Sequence, residues 1–346
     1  PDAGAYLVPE PYGISLIIGA WNYPFNLALV PVAGALAAGN AVVLKLPGRS
    51  EFSSRLMAEK LPTYFNETSK TSSLLKITGP PLTASKWTFE ADLEASKAAL
   101  ACKFDRIFFT GSPSVGKIVA QAAAKHLTPC VLELGGSNPV FVAADADLAL
   151  CAKRLVWARM LNAGQQCIAP DYVLCEGEET SRKLATEMAR AVTIAFGDDP
   201  KRSKDFGRIV SNDQCQRLQG LLADVHTKAS VVCGGEVDLD RKYVAPTIVL
   251  LKPEDTKSSL LQSETFGPIL PILPVSGLDE AVAYVVDRPK PLSLYVFTRS
   301  SRTAKDFSLR TSAGGVCVND CIFQAAHPHL PFGGVGDSGY GAYHGD

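Results

Sequence analysis

Short apolar runs rich in β-branched residues alternate with longer helical patterns, and this alternation constrains the fold more than any other feature of the chain. Segments 14–18, 41–46, 74–78 and 106–110 read as buried strands, and segments 24–38, 51–61, 92–103 and 114–126 as the helices between and after them. Strand and helix taking turns in this way marks βαβ units and a parallel sheet. From residue 145 the rhythm resumes with longer helices at 148–161 and 180–195 and strands near 172–174 and 208–210. A length of 346 residues, set against the ~150 residues of a typical domain, also gives two domains. The expected class is therefore α/β, with two successive α/β domains. Segment 66–86, rich in Thr, Ser, Lys and Pro, reads as a surface excursion.

Composition narrows the function. Hydrophobic residues at 47%, charged residues at 20% and a mean hydropathy of +0.10 exclude a disordered chain and a multispanning membrane protein. The longest apolar stretch, 27–39, contains Pro31 and Gly34 and stops at Asn40, short of the ~20 residues a membrane span requires. A net charge of -1 gives no chain-wide pull on nucleic acid or anionic lipid, which points to a small-molecule ligand. Nine cysteines, odd in number and without CxxC pairs, fit neither a disulfide framework nor a zinc site and suit a reducing, cytoplasmic compartment. The chain opens on Pro1 with no visible secretory signal.

Several short stretches carry chemistry. Asn162-Ala163-Gly164-Gln165-Gln166-Cys167 places one cysteine just after a helix and a glycine-containing turn. A lone cysteine is ordinarily a small buried hydrophobe, so its meaning depends on its company. Glu133-Leu134-Gly135-Gly136 ends an apolar run with a carboxylate and two glycines, where an acidic side chain can face a cleft. Trp21-Asn22-Tyr23-Pro24-Phe25 puts an amide at the end of the first strand, where α/β sheets bind ligands and where Asn22 could donate to an oxyanion or simply make a turn. Thr110-Gly111-Ser112-Pro113 precedes a helix, with a serine able to cap it and a glycine that permits close backbone approach. Glu264-Thr265-Phe266-Gly267-Pro268 and Leu330-Pro331-Phe332-Gly333-Gly334 are further turn-rich, aromatic segments. His327-Pro328-His329 has metal-like spacing, but no carboxylate or cysteine stands at ligand distance and the proline suits a loop, so no metal is expected. Cys317 and Cys321 are expected on packed strands, and Asn319 as a residue facing the site.

Together these segments resemble the aldehyde dehydrogenase superfamily, in wording nearest its class 3, fatty-aldehyde branch. The resemblance runs from Val8-Pro9-Glu10-Pro11-Tyr12-Gly13 through the stretches above to Pro331-Phe332-Gly333-Gly334, with class 3 character in Lys125-His126-Leu127-Thr128-Pro129, Ala169-Pro170-Asp171-Tyr172 and Tyr343-His344-Gly345. It implies a Rossmann-like NAD(P)-binding domain over 1–133, a catalytic domain over 134–325, and a C-terminal segment, 326–346, that returns toward the cofactor domain and oligomer interface. It implies that Cys167 is the nucleophile, its thiolate attacking an aldehyde to form a thiohemiacetal and then a thioester. The other eight thiols then fall to packing. Asn22 and the Cys167 N–H match the oxyanion donors, and Glu133 matches the general base that activates water. Gly111, Ser112, Pro113, Val115 and Gly116 match the cofactor loop, where a helix N-terminus meets the pyrophosphate. Lys45 matches the lysine that reaches the adenosine ribose, and Glu264 and Phe266 match residues that hold the nicotinamide ribose and ring.

The chain departs from the family pattern in places. After Lys45 the family usually has Pro-Ser-Glu, whereas here the chain reads Lys45-Leu46-Pro47-Gly48-Arg49-Ser50-Glu51, so the glutamate becomes Gly48 if the loop has no insertion or Glu51 if it has one, and Arg49 is gained. NADP is therefore expected to be tolerated or preferred beside NAD. Pro113 replaces the usual threonine and Ser137 the usual lysine, and segment 66–86 looks like an insertion. The resemblance further implies truncation at both ends and, in the full-length protein, a homodimer, with no membrane contact in this segment. The expected activity is oxidation of an apolar aldehyde to its acid. A CoA-acylating or thioester-releasing variant and a non-catalytic homologue are the alternatives.

Overall fold

The computed structural model describes residues 4–66, 74–78, 89–225 and 230–345. The chain divides into two compact units, Pro1–Leu132 and Glu133–Asp346. Segment 66–86 lies largely outside the described residues, apart from the strand within it.

The first unit runs β1 (Ile14–Ile18), α1 (Asn26–Ala37), β2 (Ala41–Lys45), α2 (Glu51–Asn66), β3 (Leu75–Thr78), α3 (Phe89–Ala101), β4 (Arg106–Thr110), α4 (Pro113–Ala124) and β5 (Cys130–Glu133). Its strands stand in the order β5-β4-β1-β2-β3, with β1 parallel to both β2 and β4 and β2 parallel to β3. The run Ile-Ser-Leu-Ile-Ile makes β1 the central strand: a strand covered on both faces needs apolar side chains on both. Leu16 and Ile17 are buried, as are Leu44, Ile107, Phe109 and Val119.

The second unit is built on β6 (Asn138–Val142), α5 (Leu148–Met160), a single 3-10 turn at Leu161–Gly164, β7 (Pro170–Glu176) and α6 (Glu178–Phe196). It continues with α7 (Asn212–Val225), β8 (Ser230–Cys233), β9 (Val237–Asp238), β10 (Tyr243–Val244), β11 (Thr247–Leu250) and β12 (Ile269–Val275). The last elements are α8 (Leu278–Val286), β13 (Ser293–Phe297), α9 (Ser301–Arg310), β14 (Gly315–Val318), α10 (Phe323–Ala326) and the short β15 (Gly339–Tyr340). The main sheet runs β14-β13-β6-β7-β12-β11-β8, parallel except for β8, which lies antiparallel on β11. A single apolar core gathers β6, β7, β12 and β13 against α5, α6 and α8.

Three sequence expectations are corrected. Segment 208–210 is not a strand, because its donors go elsewhere: Ile209 N bonds the Lys242 carbonyl at 2.9 Å and Val210 N the Gln165 side chain at 2.9 Å. Cys317 lies on β14, whereas Cys321 is buried in the bend that follows it. All nine cysteines are free thiols, but Cys102, just past α3, is exposed and so is not a packing residue.

Candidate active site

In the first unit the candidate residues gather at the carboxyl edge of the sheet. From β1 the chain proceeds through α1 to β2 on one side, while β4 lies on the other, so the direction of winding reverses between β1 and β4. Ligands of open parallel sheets bind outside the carboxyl ends at such a reversal. Half-buried Asn22 stands in the turn that leaves β1, and Lys45 is the buried last residue of β2. Loop 111–116 joins β4 to α4: Ser112 caps the helix by accepting from Val115 N at 3.5 Å, and Pro113 fills a first-turn position whose N–H is dispensable. Ser112, Ser114 and Val115 are exposed, Gly116 is buried, and the Thr110 hydroxyl just ahead is buried with no partner among the described residues. An exposed helix N-terminus, the positive end of the helix dipole, suits a phosphate.

In the second unit the site forms around Cys167. Residues Ala163 to Gln166 and Ile168 to Pro170 are all buried, and Cys167 alone in that run reaches the surface. The 3-10 turn before it is held in left-handed backbone, with φ of 52° at Asn162 and 53° at Ala163. Gly164 has φ +74°, and a Cβ there would stand 2.1 Å from the Gly267 carbonyl oxygen. Backbone thus packs on backbone between the cysteine segment and the loop that carries Glu264 and Phe266, and only glycine allows it.

Side chains fix the same segment from several directions. Asn138, fully buried at the start of β6, donates to the Cys167 carbonyl at 2.8 Å and the Ala169 carbonyl at 2.9 Å, and accepts from Ser293 N at 2.8 Å. Tyr295 donates its hydroxyl to the Ile168 carbonyl at 2.5 Å. Gln165 bonds the carbonyls of Asn162 and Arg208. Arg159 and Asp171 form a buried ion pair at 3.0 Å, and Asp171 Oδ1 also accepts from Thr265 N at 3.0 Å, which places the 264–266 turn. Phe266 has a left-handed φ of 44°. Sequence reasoning assigned no role to Asn138, Arg159, Asp171 or Tyr295; the signal available was a polar residue opening or ending an apolar run, as in Asn138-Pro139-Val140-Phe141.

Two carboxylates complete the cluster. Glu133, the last residue of β5, is buried with neither carboxylate oxygen hydrogen-bonded among the described residues, and burial pushes its carboxyl up to about 8. Glu264 is pushed up to about 8 by burial first and then by the Asp171 charge, while the Gly136 N–H opposes the shift. Its carboxylate fits because Gly135 has no side chain: a Cβ there would lie 2.3 Å from Glu264 Oε2. Cys167 is pushed up to about 12, by burial and then by the Glu264 and Glu133 charges, with the N–H groups of Cys167 and Ile168 favouring the thiolate. Tyr343 is raised by burial and by the nearness of Glu133 and Cys167. The cluster is a protonated thiol beside buried carboxyl groups titrating near neutrality, an arrangement suited to moving a proton off sulfur.

Other singled-out residues have structural work. Asn319 exchanges side-chain hydrogen bonds of 2.9 Å with both the N–H and the carbonyl of Thr298, and its own carbonyl accepts from Arg154. His327 and His329 lie in a loop, where His327 Nδ1 accepts from His329 N.

The sequence model of the aldehyde dehydrogenase family matches residues 1–346. This chain belongs to the aldehyde dehydrogenase family. It is 46% identical over 341 residues to human aldehyde dehydrogenase family 3 member B1, covering 99% of this chain and 68% of that protein. It is 42% identical over 340 residues to the rat dimeric NADP-preferring aldehyde dehydrogenase, covering 98% and 70%. Among solved structures, the substrate-bound state of a Staphylococcus aureus AldH matches with TM-score 0.88 and 38% identity, over 100% of this chain and 72% of that one. A Mycobacterium tuberculosis aldehyde dehydrogenase complexed with NAD+ matches with TM-score 0.83 and 30% identity, over 97% and 66%. This aldehyde dehydrogenase chain thus spans about two thirds of the length of the curated relatives it matches.

Proposed function

We propose that the chain carries the cofactor-binding and catalytic parts of an NAD(P)-dependent enzyme that oxidises an apolar aldehyde to its carboxylic acid. The observation that carries this reading is Cys167, the single opening in a buried run, set among Glu133 and Glu264 with the Glu133 oxygens unpartnered. In the reaction, Glu133 accepts the thiol proton, the Cys167 sulfur adds to the carbonyl carbon, and the carbonyl oxygen becomes an oxyanion. The Cys167 N–H and, on the family motif alone, the Asn22 amide are its proposed donors. Bound NAD(P) supplies the acceptor for the hydride that leaves the thiohemiacetal. Glu133 passes that first proton to solvent, then takes one from the water that cleaves the thioester and returns it to the departing Cys167 sulfur.

The exposed N-terminus of α4, with Gly111, Ser112, Pro113, Val115 and Gly116, suits the pyrophosphate, and the orphaned Thr110 hydroxyl supplies a further polar group there. Lys45, Glu264 and Phe266 keep the ribose and nicotinamide roles that the family motifs assign them. The names of relatives support both cofactors: the rat relative is called NADP-preferring, and the mycobacterial structure holds NAD+. The rat relative is also called dimeric, which supports a homodimer here.

An apolar substrate is supported by a cavity of about 440 Å³ at the C-terminal end of α5, whose wall is mostly apolar, with Trp157, Met160 and Phe196 in it, and carries Lys153, Asn162 and Asp205 as its polar members. Trp157 also stacks on Phe323 with ring centroids 6.0 Å apart, both rings partly exposed. No helix among the described residues is long and apolar enough to cross a membrane. A buried base favours water over a thiol as the group that resolves the acyl-enzyme. The test is a panel of aliphatic, aromatic and short polar aldehydes against NAD and NADP, with and without CoA, with products identified. Acid formation fastest with apolar aldehydes supports the reading, and an acyl-CoA product or no reduced cofactor overturns it.

A further inference from the structure

Lys45 ends β2 almost fully buried, and its ammonium donates to Asp92 Oδ1 at 2.5 Å. Asp92 comes from the first turn of α3, 47 residues away, and stays partly exposed, with 22% of its side chain open to solvent. Its carboxyl group lies against Gly48: a Cβ at position 48 would stand 2.5 Å from Asp92 Cγ and 2.8 Å from Oδ1. A side chain at 48 and the Asp92 carboxylate therefore compete for one volume.

That volume lies at the carboxyl end of β2. Adjacent strands are ~5 Å apart, so a dinucleotide with its pyrophosphate at the α4 N-terminus, beyond β4, crosses β1 and brings its far ribose to the end of β2. Nucleotide sites of this sheet type place a carboxylate on the ribose 2'-hydroxyl, which donates to it, whereas a 2'-phosphate is repelled. We propose that Asp92 supplies this carboxylate from α3 in place of the loop, making it a cofactor-specificity residue that, with Lys45, biases the site toward NAD. The inference rests on the NAD(P)-binding reading of the first unit, and it revises the NADP preference expected from Gly48 and Arg49. Position 48 is glycine because the group that would otherwise extend from it arrives from another element.

The test is calorimetric binding of NAD and of NADP to the whole chain, read as the ratio of the two Kd values. In the starting protein NAD binds more tightly. Asp92→Asn removes the charge at constant shape and leaves Lys45 to meet a 2'-phosphate, so the ratio shifts toward NADP by about tenfold or more. A Cβ at 48 would also stand 2.7 Å from the Asp92 Cβ, so the double variant Gly48→Glu with Asp92→Gly, which removes that carbon too, moves the carboxylate back to the loop and restores the preference for NAD. Asp92→Ser also removes the charge and reads the same ratio where Asp92→Asn folds poorly. An unshifted ratio in a folded Asp92→Asn, or a double variant that keeps NADP preference, overturns the proposal. Binding of neither cofactor to the starting protein overturns the underlying reading of the unit instead, and the proposal with it.

Discussion

Replacing Glu133 with Gln separates the catalytic work proposed for it from its structural cost. The side chain is buried, its oxygens are unpartnered, and burial raises its carboxyl from 4.5 to about 8. A carboxyl group raised on folding holds its proton in the folded state where the unfolded chain has released it. Folding stability from this group is therefore highest below about pH 4.5 and falls as pH rises toward 8. At a little over 1 kcal/mol per unit, the loss across that window is roughly 4 kcal/mol. Gln keeps the shape and cannot ionise, so the variant is spared this loss, and by about pH 8 it exceeds the parent by roughly 3 to 4 kcal/mol. Glu264, raised to a similar value, is present in both proteins and cancels. Thioester hydrolysis should slow on the order of 10²-fold or more and lose its rise with pH toward 8. Urea unfolding at the two ends of the window, together with mass spectrometry for accumulated acyl-enzyme, checks both. Parallel pH dependences of stability in the two proteins would refute the buried, unpartnered carboxylate, and unslowed hydrolysis would remove Glu133 from the role of base.

Cys167→Ala should abolish acid formation while cofactor binding by calorimetry stays within about twofold, because the change removes the sulfur and little else. Asn138→Ala strands two carbonyls and the Ser293 N–H in the interior; at ~1–3 kcal/mol per unsatisfied group and less than additive, a loss of about 3–5 kcal/mol is expected in denaturant unfolding, with a lower kcat in whatever remains folded. Gly164→Ala drives a methyl onto the Gly267 carbonyl from a left-handed backbone and should cost more than about 3 kcal/mol. Gly220→Ala, in α7 with nothing within 4 Å of the new carbon, should instead stabilise by about 0.5–1 kcal/mol.

Local pattern revealed the first unit well: Ile14–Ile18 and Arg106–Thr110 fall where apolar, β-branched runs place them, and Ser112 caps α4 as its position before Pro113 suggests. β12 escaped notice. Its sequence Ile-Leu-Pro-Ile-Leu-Pro-Val carries two prolines, which ordinarily argue against an inner strand, yet it pairs with β11 on one side and β7 on the other. Segment 208–210 misled for the opposite reason, since an apolar run gives no sign that its donors are spoken for by Gln165 and a loop carbonyl. At the site, Cys167 and Glu133 stand out by their neighbours in the chain, whereas what secures them does not. Asn138 reaches the Cys167 carbonyl across 29 positions and Ser293 across 155, and Asp92 meets Lys45 across 47. Such pairings follow from topology, which no window of sequence contains.

The high proton affinity of Cys167 has a consequence for the resting protein. A thiol pushed up to about 12 is ionised in only about one molecule in 10⁵ at pH 7. Peroxides and alkylating electrophiles react with the thiolate and largely ignore the thiol. In the proposed mechanism Cys167 gains nucleophilicity only when the Glu133 carboxylate can take its proton, so burial keeps the cysteine quiet between turnovers and the ionisation of Glu133 decides when it becomes reactive.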